Sequence, residues 1–416
     1  MAEGAPRGGL AALCITQTTG WGVLYYALVA AVRPISEDTG WDPALVTGAF
    51  SSGLLVSAAA GIFVGRILDR TGPRTLMITG SLLGVLALVI VAMAPTLPVF
   101  FAAWLLAGAA QSAVLYQPAF TVITRWYGPA RIRPLTILTL AAGFASTIFA
   151  PVTAALASSF GWRDAFLMLA GILGLVTVPL HARYLNGQWA PPARGTPATD
   201  HRARLRAVRR SPEFLGLQTL MVLLGFGVYT VTLNIIPLLV EKGADYPTAA
   251  LGLGLVGAGQ VGGRLLFAAI PPGARLPGIT AAAACAVLLL AALPGPEPVL
   301  IAAGMLAGAV RGCQTLLQAT VVAERWGTHG LGTLQGIFAA PLTAVTAVAP
   351  AAGTLLAVWL GTYTGMGYAM AAAAGTAAVL AAGMSLRPER AGKSDSFGLS
   401  STAPPPRGKK RRDSRP

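Results

Sequence analysis

"GIFVGRILDRTGPR", residues 61–74, is a run of small and apolar residues that ends abruptly in a charged turn. A near copy, "GQVGGRLLFA" (259–268), keeps the Gly-Arg pair and the apolar frame but carries Phe267 where the first has Asp69. A second passage also recurs: "LLAGAAQ" (105–111) is answered by "MLAGAVR" (305–311), and "TRWYG" (124–128) by "ERWG" (324–327). Two related halves are the economical reading. The halves have also diverged, because the second copy puts Arg311 where the first has Gln111.

Hydrophobic residues make up 55% of the 416 residues and charged ones only 11%. Mean hydropathy is +0.66. Soluble chains carry about 25% charged residues, so long stretches of this chain are built for lipid. A span needs about 20 mostly apolar residues. Twelve such runs can be read: 10–32, 44–65, 75–94, 98–123, 134–157, 163–185, 214–240, 247–270, 276–293, 298–322, 331–357 and 363–386. The expected fold is an all-α membrane protein, twelve transmembrane helices in two pseudo-symmetric six-helix halves. Gly and Ala scattered through the runs favour close helix contact. Pro118, Pro151, Pro237, Pro341 and Pro350 lie inside runs and predict kinks.

The chain divides into an N-terminus (1–9), a first half (10–185), a Pro/Gly/Arg-rich linker (186–212), a second half (213–386) and a Pro/Ser/basic tail (387–416) expected to be disordered. With both termini cytoplasmic, the outward loops hold only Arg33, Arg163 and Lys242; apart from Arg264 and Arg311 inside spans, the remaining Lys and Arg fall on the cytoplasmic side. By the positive-inside rule this sets the orientation in the cell (inner or plasma) membrane. The net charge of +15 therefore implies anionic lipid as the partner of "DHRARLRAVRR" (200–210) and "RGKKRRDSRP" (407–416), not nucleic acid. The stretch after Asp200 reads as a basic surface helix. No cleavable leader is expected. Cys14, Cys285 and Cys313 have neither metal-ligand spacing nor an even count. No nucleophile–base pair, paired carboxylates or phosphate loop is present, so no enzymatic function, cofactor or metal is expected.

"GRILDRTGPR" (65–74), between runs two and three, resembles the loop signature of the major facilitator superfamily, Gly-x-x-x-Asp-Arg-x-Gly-x-Arg. The resemblance covers about residues 10–386. It implies gating roles for Gly65, Arg66, Asp69, Arg70, Gly72 and Arg74: Gly65 lets span two approach span eleven, and Asp69 forms a charge cluster with Arg66 and Arg70 that closes the cytoplasmic side. "TTGWGVLYYALVAAVRPISEDTGW" (18–41) and "RWYGPARIRPLTILTLAAGFASTIFAPV" (125–152) resemble the monocarboxylate-porter-like branch, which includes an oxalate/formate exchanger. In that branch a span-eight arginine binds the substrate carboxylate, and Arg264 is the matching residue. Departures are Gln260 in place of an aspartate, Ala30 in place of a lysine, and Trp104-Leu105 where an Arg-Gln motif of other facilitators begins.

The residues themselves pose an energetic problem. An arginine at the bilayer centre costs about 2.5–3.5 kcal/mol, so Arg264 and Arg311 together cost roughly 5–7 kcal/mol, comparable to the whole stability of a domain, about 5–15 kcal/mol. All 15 acidic residues fall in loops, at span ends or in the tail, so no membrane carboxylate compensates. Water and a bound anion are the expected counterparts. Two guanidiniums ~10 Å apart at an effective dielectric of ~20 repel by about 1.7 kcal/mol, which a carboxylate between them removes. Arg311, Gln314, Thr315 and Gln318 form one stripe at i, i+3, i+4 and i+7. Gln260 shares a face with Arg264, and Asn234 one with Thr230; Gln111, Tyr25, Tyr26 and Tyr116 are expected on the same cavity from the first half.

The expected function is secondary transport of a small organic anion, a carboxylate, by a monomer working through alternating access, by exchange or with a proton carried on the substrate. Two alternatives stand beside it: an exporter of the same fold without anion preference, and a membrane sensor that binds without transporting. For the arginines the alternatives are that Arg264 snorkels to the interface and that Arg311 is a structural post held by Gln314 and kink carbonyls.

Overall fold

A computed structural model describes residues 5–187, 189 and 198–385. The tail expected over 387–416 lies outside them. Among the described residues every regular element is helical. Eleven helices are long and apolar enough to cross a membrane: Pro43–Thr71, Pro73–Met93, Leu97–Ala130, Ile132–Phe160, Trp162–Tyr184, Pro212–Leu233, Tyr246–Ala269, Pro272–Ala292, Glu297–Trp326, Leu331–Leu360 and Tyr363–Met384. These are spans two to twelve. Span one precedes them as Gly9–Trp21, a π-helical turn Gly22–Tyr26 and Ala27–Thr39, with helical dihedrals at both junctions. Several helices outrun the apolar runs: span two reaches Thr71 and span ten Trp326. Helical hydrogen bonding continues past the apolar window, where hydropathy no longer reports it.

The ends of the bundle differ in charge. One carries Arg70, Arg74, Arg125, Arg131, Arg133 and Arg325 and is called the basic end below; the other carries Arg33, Arg163 and Lys242. Ala198–Arg210, in the linker between spans six and seven, is also helical.

The prolines act selectively. A proline ring clashes with the carbonyl four residues back, and span four breaks at Leu115, three residues before Pro118. The carbonyl of Val114 then accepts the Gln17 side-chain amide at 2.5 Å. Span seven breaks at Asn234, three residues before Pro237, where the Asn234 amide donates to Thr230 O at 2.9 Å. Span five is interrupted at Phe144, well before Pro151. At Pro341 and Pro350 the helix is not interrupted: Leu331–Leu360 is one helix through both.

Within the first half, spans two and four cross at Gly53 and Gly108, where a Cβ on Gly108 would sit 1.9 Å from Gly53 O. Spans eight and ten cross likewise at Gly259, Gly263, Gly308 and Gly312; a Cβ on Gly312 would lie 2.1 Å from Gln260 O. The halves meet along spans two and eleven and through the basic-end segments of spans four and five, which pack on spans eight, ten and eleven. Accordingly the buried core of the second half is continuous with basic-end residues of the first, Leu68, Phe120, Ile123 and Leu135 among them. The opposite end of the first half forms a core of its own around Leu28, Phe50, Trp104 and Phe166. The bundle is thus closed at its basic end.

Overpacking a tight contact costs about 1–3 kcal/mol or more. Gly108→Val is expected to lower the melting temperature of the purified protein and its monodisperse yield. Gly171→Val, with nothing within 4 Å of its Cβ position, is expected to leave both unchanged.

Candidate functional site

Span one's π-turn begins the site. Gly22 has no Cβ, and one placed there would lie 2.1 Å from the Phe149 ring of span five. The turn carries Tyr25 and Tyr26 into a cavity of about 320 Å³ between the halves. π-turns recur at functional sites because they offset the side chains that follow. Trp21, Tyr116, Gln111 and Gln117 are among the first half's other lining residues; Tyr229, Gln260, Arg264, Arg311, Thr315, Gln318 and Gln335 come from the second.

Both arginines ride on the crossing of spans eight and ten. Arg264 follows Gly263 and Arg311 precedes Gly312, whose Cβ position is 3.1 Å from Arg264 N. Arg264 is 5% exposed, which excludes a snorkelling side chain. Its Nη1 crosses to the first half and donates to Thr139 O at 2.8 Å. The Arg311 guanidinium lies 4.2 Å from the centroid of the Tyr229 ring, a cation–π contact, and its Nη1 is 3.5 Å from Thr232 Oγ1. Nε of both arginines and Nε1 of Trp21 are buried without a hydrogen-bond partner among the described residues. No Asp or Glu lines the cavity, and among the described residues neither arginine has an ion pair. Unpaired donors thus face a site carrying two positive charges, beside the amide oxygens of Gln111 and Gln335, which also lack a partner among the described residues.

Of the residues expected here, Arg264, Arg311, Gln260, Gln111, Tyr25, Tyr26 and Tyr116 line the cavity, and Asn234 and Gln314 do not. Asn234 is consumed at the break in span seven, where it also donates to Pro350 O and accepts from Thr354 Oγ1 at 3.2 Å. Gln314 is turned about 60° around span ten from Arg311. It points into the second half, its amide nitrogen 3.0 Å from a Cβ placed on Gly225. Neither of its amide atoms has a partner among the described residues, so it does not hold Arg311.

Trp21 and Tyr229 were not expected in the lining. A signal for Tyr229 existed: "GWGVL" (20–24) of span one recurs as "GFGVY" (225–229) of span seven. That match also explains the Gln-to-Arg exchange. In the first half Gln111 donates to Leu24 O at 2.7 Å and fixes the π-turn; in the second, its counterpart Arg311 covers Tyr229, the counterpart of Leu24.

At the basic end, Asp69 is 4% exposed. Its Oδ1 accepts from Arg125 Nη2 at 2.9 Å and Gly332 N at 3.0 Å, and its Oδ2 from Thr333 N at 2.7 Å and Thr333 Oγ1 at 2.8 Å. Gly332 and Thr333 open span eleven, whose N-terminal N–H groups suit an anion. Gly65 makes room for them: a Cβ there would lie 2.0 Å from Gly332 O. The expected partners Arg66 and Arg70 are a correction. Among the described residues no ion pair joins either to Asp69; Arg66 is exposed over Phe63 and Arg70 is exposed. Both project outward from span two while Asp69 faces span eleven. Trp189 of the linker stacks on Arg125, 4.3 Å to the centroid, and fits against Gly72. Arg74 is exposed.

The second half is closed differently. Phe267, in Asp69's place, lies under Arg275, and Arg275 Nη1 reaches Glu324 at 3.3 Å. Glu324 Oε1 is also 3.5 Å from Arg131 Nη2 of the first half. The acid has moved from the end of span eight to the end of span ten.

The chain belongs to the Major Facilitator Superfamily, whose family model matches residues 10–298; with eleven helices long and apolar enough to cross a membrane, it is a multi-pass membrane protein. Human monocarboxylate transporter 11 is 28% identical over 238 residues, 56% of this chain and 47% of that protein. The chain thus matches about half the length of that relative. Bovine monocarboxylate transporter 13 is 25% identical over 340 residues, 78% of this chain and 77% of that one. The oxalate:formate antiporter of Oxalobacter formigenes is 23% identical over 214 residues, 51% and 50% of the two chains. The same fold is seen in the human organic anion transporter MFSD10 (TM-score 0.68, 16% identity, 90% of this chain and 99% of that one). FucP in its outward conformation shares it too (TM-score 0.69, 15% identity, 90% and 97%).

A hydrogen bond to a charged group contributes about 1.5–3 kcal/mol. Asp69→Asn removes the charge and turns one acceptor into a donor. It is expected to lengthen the distance between spin labels at Arg74→Cys and Thr328→Cys, in a background lacking Cys14, Cys285 and Cys313. Arg66→Gln is expected to leave that distance distribution unchanged.

Proposed function

We propose that the protein carries a small organic carboxylate across the membrane by alternating access. The observation that carries this reading is that Arg264 and Arg311 line one cavity with no acidic residue beside them. A carboxylate entering the site meets two guanidinium groups, offsets their mutual repulsion and takes up unpaired donors. Relatives named monocarboxylate transporters and an oxalate:formate antiporter support the same class of cargo.

The basic end faces the cytoplasm, and the conformation described is then outward-facing. Its closure rests on Asp69 against span eleven and on Glu324 between Arg131 and Arg275. Rocking the halves to the inward-facing state separates both contacts and the Arg264–Thr139 bond. A bound anion weakens the last of these by taking up the guanidinium. The cavity lining holds no carboxyl to carry a proton. Coupling is therefore exchange of one anion for another, or co-transport of a proton on the substrate itself.

Purified protein in liposomes tests the reading. Counterflow of labelled carboxylates is expected to persist without a pH gradient, and strict dependence on the gradient would exclude exchange. Arg264→Gln and Arg311→Gln are each expected to lower the rate at limiting substrate about 10–100-fold, the loss of one charged hydrogen bond at about 1.5–3 kcal/mol. Transport indifferent to Arg311→Gln would instead favour an exporter without anion preference; a fujikurins efflux protein of Gibberella fujikuroi, 27% identical over 254 residues, is also among the relatives.

A further inference from the structure

The two sides of the cavity differ in chemistry. Positive charge comes from spans eight and ten, whereas spans one and four supply Trp21, Tyr25, Tyr26 and Tyr116. These rings form a connected wall. Trp21 lies 5.2 Å from Tyr25 and 4.8 Å from Tyr116, centroid to centroid; Tyr25 meets Tyr26 edge-on at 5.1 Å, and Tyr116 stacks on Phe120 at 4.8 Å. We propose that the cargo bears an aromatic ring together with its carboxylate, the ring against this wall and the carboxylate at the arginines. The proposal rests on the carboxylate reading of the same cavity and narrows it.

Three observations carry it. First, core packing leaves the wall a free face. Trp21 and Tyr25 pack against one core and Tyr116 against the other, yet these three rings and Tyr26 are only partly buried and all four line the cavity. Nor is it an interfacial belt, because Tyr25 and Tyr26 sit in the π-turn at the middle of span one rather than at its end. Second, the dimensions suit a ring. Sites for drug-sized ligands begin at about 300 Å³, and this one is about 320 Å³. A carboxylate of two or three carbons would leave most of that volume as water against aromatic faces. Third, the wall and the charges are within reach of one molecule: Tyr25, Tyr26 and Tyr116 line the same cavity of about 320 Å³ as Arg264 and Arg311. Offset and edge-to-face ring contacts then favour an arene over a saturated ring of equal size.

The test is competition against labelled phenylacetate in proteoliposome counterflow, paired with thermal-shift binding to the purified protein, using phenylacetate, cyclohexylacetate, acetate and phenylacetamide. Phenylacetate is expected to bind at least tenfold more tightly than acetate, about 1.4 kcal/mol, and more tightly than cyclohexylacetate. Tyr116→Leu and, separately, Tyr26→Leu are expected to bring the phenylacetate-to-acetate ratio toward one, while Arg311→Gln weakens both acids and preserves the ratio. Equal binding of phenylacetate and acetate would overturn the aromatic cargo and leave the carboxylate reading standing. Phenylacetamide binding as tightly as phenylacetate would overturn the carboxylate itself. Absence of binding by every compound would overturn both.

Discussion

Spans eight and ten cross with glycine against carbonyl, and that crossing fixes the chemistry of the cavity. A helix pair so close cannot spread to relieve repulsion between groups mounted on it, and Arg264 and Arg311 are mounted on it, each beside one of the glycines. The interior offers partial compensation only: one carbonyl bond for Arg264, and one ring face and a 3.5 Å contact with the Thr232 hydroxyl for Arg311. Water completes the solvation in an open cavity but is expelled on closure, when electrostatic effects grow. On the carboxylate reading proposed above, an anionic cargo is a condition for closing rather than an addition to a site already at rest.

The duplicated halves make the specialisation visible. Gln111 and Arg311 occupy matching places and address matching residues, Leu24 and Tyr229. One copy became a brace for the π-turn and the other a charge set in the cavity lining. At the basic end, Asp69 binds the start of span eleven, whereas its counterpart Phe267 supports Arg275, and Glu324 spans the halves through Arg131. Symmetry set the scaffold, and substitutions within it separated binding from bracing.

Hydropathy located the eleven helices long and apolar enough to cross because each depends on a local property, the transfer of about twenty residues into lipid. The charged interior residues were legible for the same reason: Arg264 and Arg311 are anomalous wherever their helices point. Residues whose role depends on rotation about the helix axis were less so. Gln314 shares a stripe with Arg311 yet falls on its far edge, and Asn234 is taken up by a break that Pro237 creates. Trp21 gave no local sign, since an aromatic in a span is ordinary until tertiary contacts show which neighbours it has. The partner of Asp69 was misread because Arg66 and Arg70 are near in sequence, whereas Arg125 is near only in space.

Two of the donors to Asp69 are main-chain N–H groups, at Gly332 and Thr333. A peptide N–H survives every point mutation except one to proline, which has none. Much of the second half's share of this latch is therefore encoded in helix position rather than side-chain identity, and other drift along span eleven leaves those two contacts intact. Vulnerability to inherited change falls on Asp69, on Arg125, on the Thr333 hydroxyl, and on any residue that would add a Cβ at position 65 or 332.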